Sequence, residues 1–183
     1  MKNQNLTFSF IHSSKFVCLL CAVLLAIGCS LSPKINETAK QEAETIANDA
    51  SRIYQKAQEI VSMEIEYGWS LILEVNDTKT RNEKFISAAK ELETARDKFL
   101  QASAKMNEAL NGQKKYDNEQ ATRLSRMSEA YKRFSERAEF ERKTWQEAST
   151  LTDPKLLRQK LTEAQKIQNK MTKDLMSFMR GIG

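Results

Sequence analysis

The sequence predicts an all-α protein: an up-down antiparallel bundle of four helices, or three if the first two pieces are divided differently, with coiled-coil-like seams and a long first helix. Three observations predict it. Apolar residues recur at alternating steps of four and three, as in Ala39, Ala43, Ile46, Ala50, Ile53, Ala57 and Ile60, a pattern that keeps one stripe on a partner helix over several turns. The only two prolines, Pro33 and Pro154, both stand at predicted helix starts, and Gly68 is the one glycine inside a predicted helix. The predicted connections are short, which forces neighbouring helices to run antiparallel.

The first helix starts at Ser32-Pro33, as N-cap and first helical residue, or at Asn36 with Glu37 in the first turn. Its pattern continues through Tyr67 and Leu71 to about residue 75. Alanine alternating with isoleucine implies close approach to a neighbour. Glu64 interrupts the seam, and Gly68 is a candidate bend. Asn76-Asp77-Thr78 forms a turn, with Asp77 or Thr78 as the next N-cap. The second helix covers residues 79–110, with Phe85, Ala89, Leu92, Phe99, Met106 and Leu110 on its seam and Ala95 and Ala102 beside it. Asn111-Gly112 ends it. Asp117 caps the third helix, which runs to about residue 150 with Leu124, Met127, Tyr131, Phe134, Ala138, Trp145 and Ala148 inward and Glu141 at one seam position. Asp153 caps the fourth, with Pro154 at its first position. That helix spans residues 154–180 and carries Leu157, Leu161, Ala164, Met171, Leu175 and Phe178, with Ile182 beyond it and Gln168 as its one polar seam position. Helix parity puts the start of the first helix and the end of the fourth at the same end.

Ahead of the helices lies a different kind of segment. Lys2 and Lys15, with no acid, precede an apolar run of about 13 residues from Phe16 to Gly28. That length suits a signal h-region of roughly 7–15 residues and falls short of the roughly 20 that span a bilayer. The run closes on Ala26-Ile27-Gly28-Cys29. This resembles the lipobox of bacterial lipoproteins. It departs from the commonest form at Ala26, where leucine is usual, with Leu25 one residue early. The resemblance implies a diacylglycerol on the Cys29 thiol, cleavage before it, and acylation of the new amine. The alternatives are an ordinary secretory signal cut near Gly28 and an uncleaved anchor, which the short run disfavours. The domain organisation is then a leader over residues 1–28, a lipidated cysteine with a short tether over 29–32, and one helical domain over 33–183.

Cys18, Cys21 and Cys29 are the only cysteines and His12 is the only histidine, so all four lie at or before the cut. The mature chain then holds no disulfide and is stabilised by burial alone. The usual zinc sites, Cys–His nucleophiles and Ser–His triads are excluded. Di-metal bundles need a Glu-x-x-His motif, so Glu64 and Glu141 read as a slipped seam or as partners of an arginine such as Arg96. A Ser–Lys site needs no histidine and is not excluded by composition, but such sites usually sit on loops or strand ends held by a scaffold, and this chain has almost no predicted loops. Neither enzyme activity nor a metal or cofactor is expected. Removing Lys2 and Lys15 leaves 27 basic against 24 acidic residues, an excess too small to argue for nucleic acid.

The strongest surface candidate is a basic stripe on the third helix. Arg123, Arg126, Arg133 and Arg137 share a face, with Lys114, Lys115, Lys132, Arg142 and Lys143 nearby in sequence. Such a stripe suits a sulfated polysaccharide, an acidic protein or anionic headgroups. Glu129, Glu136, Glu139 and Glu141 are interleaved, so a solvated face of i,i+4 ion pairs is the competing reading. Among the aromatics, Trp69 and Phe140 fall off the main stripes and are the candidate contact residues; Tyr67, Tyr131, Phe134 and Trp145 read as core or as the frame of a small pocket.

Taken together, these features lead to the expectation of a lipid-anchored envelope protein that binds a macromolecule through a helix face. In signal, size and helix content it is similar to small all-helical surface lipoproteins of spirochaetes. That resemblance implies outer-membrane attachment, surface display and a role as adhesin or immune-evasion factor. The alternative is a periplasm-facing structural or assembly lipoprotein whose Ala/Ile seam pairs with a second chain, a homo-oligomer included.

Overall fold

The computed structural model describes residues 35–65, 78–111 and 118–180. They form four helices, α1 (Glu37–Ile65), α2 (Thr78–Ala109), α3 (Glu119–Ala148) and α4 (Pro154–Arg180), with no strand among the described residues. The fold is an all-α antiparallel bundle. The Cys29 signal, the Ser32-Pro33 start, Trp69 and the expected run of the first helix to residue 75 lie outside the described residues.

Local chemistry sets the helix ends. Asn36 caps α1, its side-chain oxygen accepting from the Ala39 amide at 3.1 Å. Asn118 caps α3 in extended backbone and accepts from the Ala121 amide at 2.8 Å. The expected cap was its neighbour Asp117, but the oxygen that reaches the first turn belongs to Asn118. Asp153 caps α4 by accepting from the Lys155 amide at 2.8 Å, and Pro154 takes the first position, where it has no amide to leave unpaired. Just past α2, Asn111 turns to a φ of 49°, a left-handed conformation that asparagine tolerates better than most residues.

The order of packing is α1 on α2, α2 on α3, and α4 more lightly on α3. The register of the first pair is a ladder of ion pairs: Glu42–Lys105 at 3.0 Å, Asp49–Lys98 at 3.0 Å and Lys56–Glu91 at 2.6 Å. Each rung advances seven residues on one helix and retreats seven on the other, as an antiparallel coiled-coil pair requires. At one end the Asn36 amide bonds the Ala109 carbonyl at 3.0 Å.

Behind that ladder lie two rows of alanine, Ala43, Ala50 and Ala57 on α1 and Ala88, Ala95, Ala102 and Ala109 on α2, all fully buried. Small side chains let the two axes approach at the short end of the usual interhelical range. On α2 a second heptad row, Phe85, Leu92, Phe99 and Met106, is equally buried and meets α3. Phe85 stacks on Trp145 with centroids 5.2 Å apart, and Phe99 on Phe134 at 5.3 Å. Beyond the second stack, toward the start of α3, Ser128 Oγ donates to the Ser103 carbonyl at 3.0 Å and lies 2.9 Å from Ser103 Oγ, which satisfies two buried hydroxyls. Thus α2 turns its small residues to α1 and its large ones to α3.

Ile46, Ile53 and Ile60, expected at the centre of the α1 seam, are half-buried instead. The buried line runs through Ala43, Ala47, Ala50, Tyr54, Ala57 and Val61, because α1 packs toward both α2 and α3. On α4 only Leu157, Leu161, Gln168 and Leu175 are buried, and Ala164, Met171 and Phe178 remain half-exposed.

Candidate functional site

The basic stripe of α3 is divided by α4. Arg137 is 3% exposed, so it belongs to the interior and not to the surface face expected of it. Arg133 is half-exposed, bonds Glu129 at 3.3 Å and lies 4.3 Å from the centre of the Phe178 ring, a cation–π contact between α3 and α4. Phe178 is in the last described turn of α4. Arg123 and Arg126, two to three turns nearer the start of α3, therefore reach past the described end of α4. Both are half-exposed and make no ion pair among the described residues. Four arginines on one face thus become two open, one stacked and one buried.

Phe140, expected as an exposed contact residue, is half-buried. With Thr144, Trp145, Leu161, Ala164 and Gln168 it lines a cavity of about 20 Å³ between α3 and α4, room for about one water. The Trp145 indole N–H is buried beside it without a protein acceptor among the described residues.

The densest polar chemistry is inside the bundle. Glu141 is 4% exposed. Its Oε1 accepts from Arg137 Nε at 3.1 Å, from Gln168 Nε2 at 2.5 Å and from the Tyr54 hydroxyl, and its Oε2 accepts from Gln58 Nε2. Arg137 comes from the same helix one turn earlier, Tyr54 and Gln58 from α1, and Gln168 from α4. The Arg137 guanidinium also lies 5.6 Å from the Tyr54 ring centre. Burial opposes the charge on Arg137, but Tyr54 and Glu141 overcome it and hold its pKa above the ordinary arginine value. Burial is also the main reason that the Tyr54 phenol is raised well above its ordinary 10.0; Arg137 opposes the rise and the Glu141 carboxylate adds to it. Tyr54 is therefore a neutral donor at physiological pH. The carboxylate is saturated and closed to solvent, which makes the cluster a clamp joining three helices.

Glu141 was expected on a seam, slipped locally or paired with an arginine such as Arg96. Arg96 instead bonds Glu139 at 2.9 Å and pairs with Asp97 at 2.7 Å. The i,i+4 spacing of Arg137 and Glu141 was the available signal for the true pair. Gln168 was visible as a polar seam position, whereas Tyr54 and Gln58 lay off the four-three pattern and carried no signal. Glu64, the other acid on a seam, has a side chain outside the described set.

A second ion cluster lies on the outer edge of α2 and α3. Arg142 binds Glu139 through two bonds, at 2.8 and 2.9 Å, while Arg96 and Lys143 approach from either side. Led by the Arg142 bonds, these cations lower the Glu139 pKa to about 2. Across the α2 start, the buried Arg81 donates to the Leu151 carbonyl at 2.9 Å and pins the α3–α4 connection.

Among the described residues no group of histidine, cysteine and carboxylate side chains could hold a metal ion, and no helix is long and apolar enough to cross a membrane. Comparison with family models, curated proteins and solved structures finds no match to this chain. What the fold defines is a class, an antiparallel helical bundle whose densest buried polar cluster closes on itself around Glu141.

Proposed function

We propose that this chain is a lipid-anchored bacterial envelope protein that acts by contact with a macromolecular partner and not by turnover. One observation carries the proposal: an apolar leader closes on Ala26-Ile27-Gly28-Cys29, and neither cysteine nor histidine occurs after it. An acyl group on Cys29 would hold the bundle at the outer membrane, displayed at the cell surface. The partner there is a protein or a sulfated polysaccharide, in the manner of an adhesin or immune-evasion factor. Two features support contact over catalysis. Arg123 and Arg126 stay open and half-exposed, while the most concentrated polar cluster is saturated around Glu141.

Mass spectrometry of the native N-terminal peptide tests the anchor. The expected product is acylated Cys29; a chain that begins downstream of it, unacylated and free in the medium, overturns the proposal. Protease treatment of intact cells tests display, with loss of the protein expected. Survival would favour the alternative of a periplasm-facing scaffold. The Ala/Ile seam lends that alternative less support, because α2 of the same chain buries the alanine row of α1.

A further inference from the structure

We infer that the outward face of α4 is a docking surface for an anionic lipid bilayer, along which the helix lies flat. The first ground is charge. From Pro154 to Arg180 there are seven basic residues (Lys155, Arg158, Lys160, Lys166, Lys170, Lys173 and Arg180) against Glu163 and Asp174. From residue 29 to residue 153 the balance is 20 basic against 22 acidic, so α4 supplies the whole positive excess of the mature chain.

The second ground is that these charges are uncommitted. Six of the seven are exposed, and only Lys160, paired with Glu147, joins an ion pair among the described residues. Elsewhere on the bundle most cations sit in ladders or clusters with acids, and α4 departs from that pattern.

The third ground is apolar. Leu156 and Ile167 are 53% and 47% exposed. Eleven residues, close to three turns, separate them, so they share one side of the helix. Lys155, Lys166 and Lys173 recur at intervals of eleven and seven and run beside them. A sulfated polysaccharide would meet the cations and leave both apolar side chains in water. A bilayer surface takes both, with phosphates for the ammonium groups and the acyl boundary for Leu156 and Ile167, while lysine stems span the difference. The cations are strung along about 38 Å of helix, which matches a planar partner better than a pocket. Light packing of α4 on α3 leaves this side clear. The face is complete within residues 155–180 and needs no acyl group, so it stands or fails apart from the anchor at Cys29.

Co-sedimentation with vesicles tests it, using the chain from residue 29 with Cys29→Ser, which contains every described helix and no acyl group. We expect binding at low salt to vesicles of equal parts phosphatidylglycerol and phosphatidylcholine, release at high salt, and no binding to phosphatidylcholine alone. The triple variant Lys155→Glu, Lys166→Glu, Lys173→Glu should bind at least about tenfold more weakly. A matched triple on α2 and α3 (Lys79→Glu, Lys90→Glu, Lys132→Glu) should stay within about threefold of the parent. Circular dichroism checks each fold, and the milder pair Lys166→Gln, Lys173→Gln replaces any triple that fails to fold. No binding to the anionic vesicles overturns the inference. So does an equal loss in the matched triple, or tighter retention on polyglutamate or heparin than on the vesicles, which would give the face to an acidic macromolecule.

Discussion

The Tyr54 hydroxyl donates to the Glu141 carboxylate across 87 positions of sequence, and that bond ties α1 to α3. Gln58 repeats the tie one turn further along α1, and Gln168 extends it to α4. A carboxylate with four donors is well compensated, but its removal leaves the Arg137 charge buried without its carboxylate. Glu141→Ala should therefore cost about 3–5 kcal/mol. Adding Arg137→Met to Glu141→Leu should cost less than Glu141→Ala alone, because no orphan charge remains. Urea denaturation of the three chains checks this. If Glu141→Ala costs no more than the same change at exposed Glu136, the cluster is not a clamp.

The same bond predicts an alkaline response. Folding raises the Tyr54 pKa well above 10.0. The stabilisation from keeping the phenol neutral is complete below pH 10.0 and is lost as pH rises from there toward the folded value, because the unfolded chain releases its proton first. Tyr54→Phe should lower stability at neutral pH by about 1.5–3 kcal/mol, the range for a hydrogen bond to a charged group, and should flatten the fall above pH 10.0. Thermal melts between neutral and strongly alkaline pH, read for both chains, decide it. Parallel curves would mean that another group titrates.

Much of the fold was legible in the sequence because helix ends and heptads are local signals. Asn36, Asp153-Pro154 and Asn111 mark boundaries through caps that involve only their own first or last turn. Faces were harder to read. Periodicity states which residues share a side, not which side a third helix will cover. Arg137 shares a face with Arg123, yet Arg137 is closed in beside Tyr54 and Glu141 while Arg123 lies beyond the described end of α4. Likewise Ile46, Ile53 and Ile60 satisfy a two-helix seam, but the presence of both α2 and α3 moves the buried centre of α1 onto Tyr54 and Val61. The charge of α4 was written in the composition throughout, but its meaning depended on which cations found partners.

The alanine rows predict a sharp contrast between size and charge. Ala50 and Ala95 are fully buried where α1 meets α2. Ala50→Leu adds volume where small side chains set the spacing, and should cost about 1–3 kcal/mol or more. Lys98→Ala removes a rung whose partners are 33% and 53% exposed, and should cost at most about 1 kcal/mol. Thermal unfolding of the two variants would rank them. A larger loss from the lysine would shift the burden of holding α1 to α2 from packing to charge.

Glu139 predicts the acid limb. Three cations hold its pKa near 2, against an ordinary 4.5. A carboxylate depressed in the fold contributes stability that is fully present above pH 4.5 and drains away as pH falls through about 2, where the folded form is protonated as well. The Glu139 side chain is 27% exposed, so solvent and salt screen part of the effect. Glu139→Gln should therefore be less stable than the parent at pH 7 and should converge with it as the pH drops toward 2. Arg142→Ala, which removes the largest single cause of the depression, should move the parent's acid transition to higher pH. Urea midpoints taken at successive pH values in low and high salt check both statements. If the gap between Glu139→Gln and the parent stays constant across that window, Glu139 does not titrate as described and the acid transition belongs to other carboxylates.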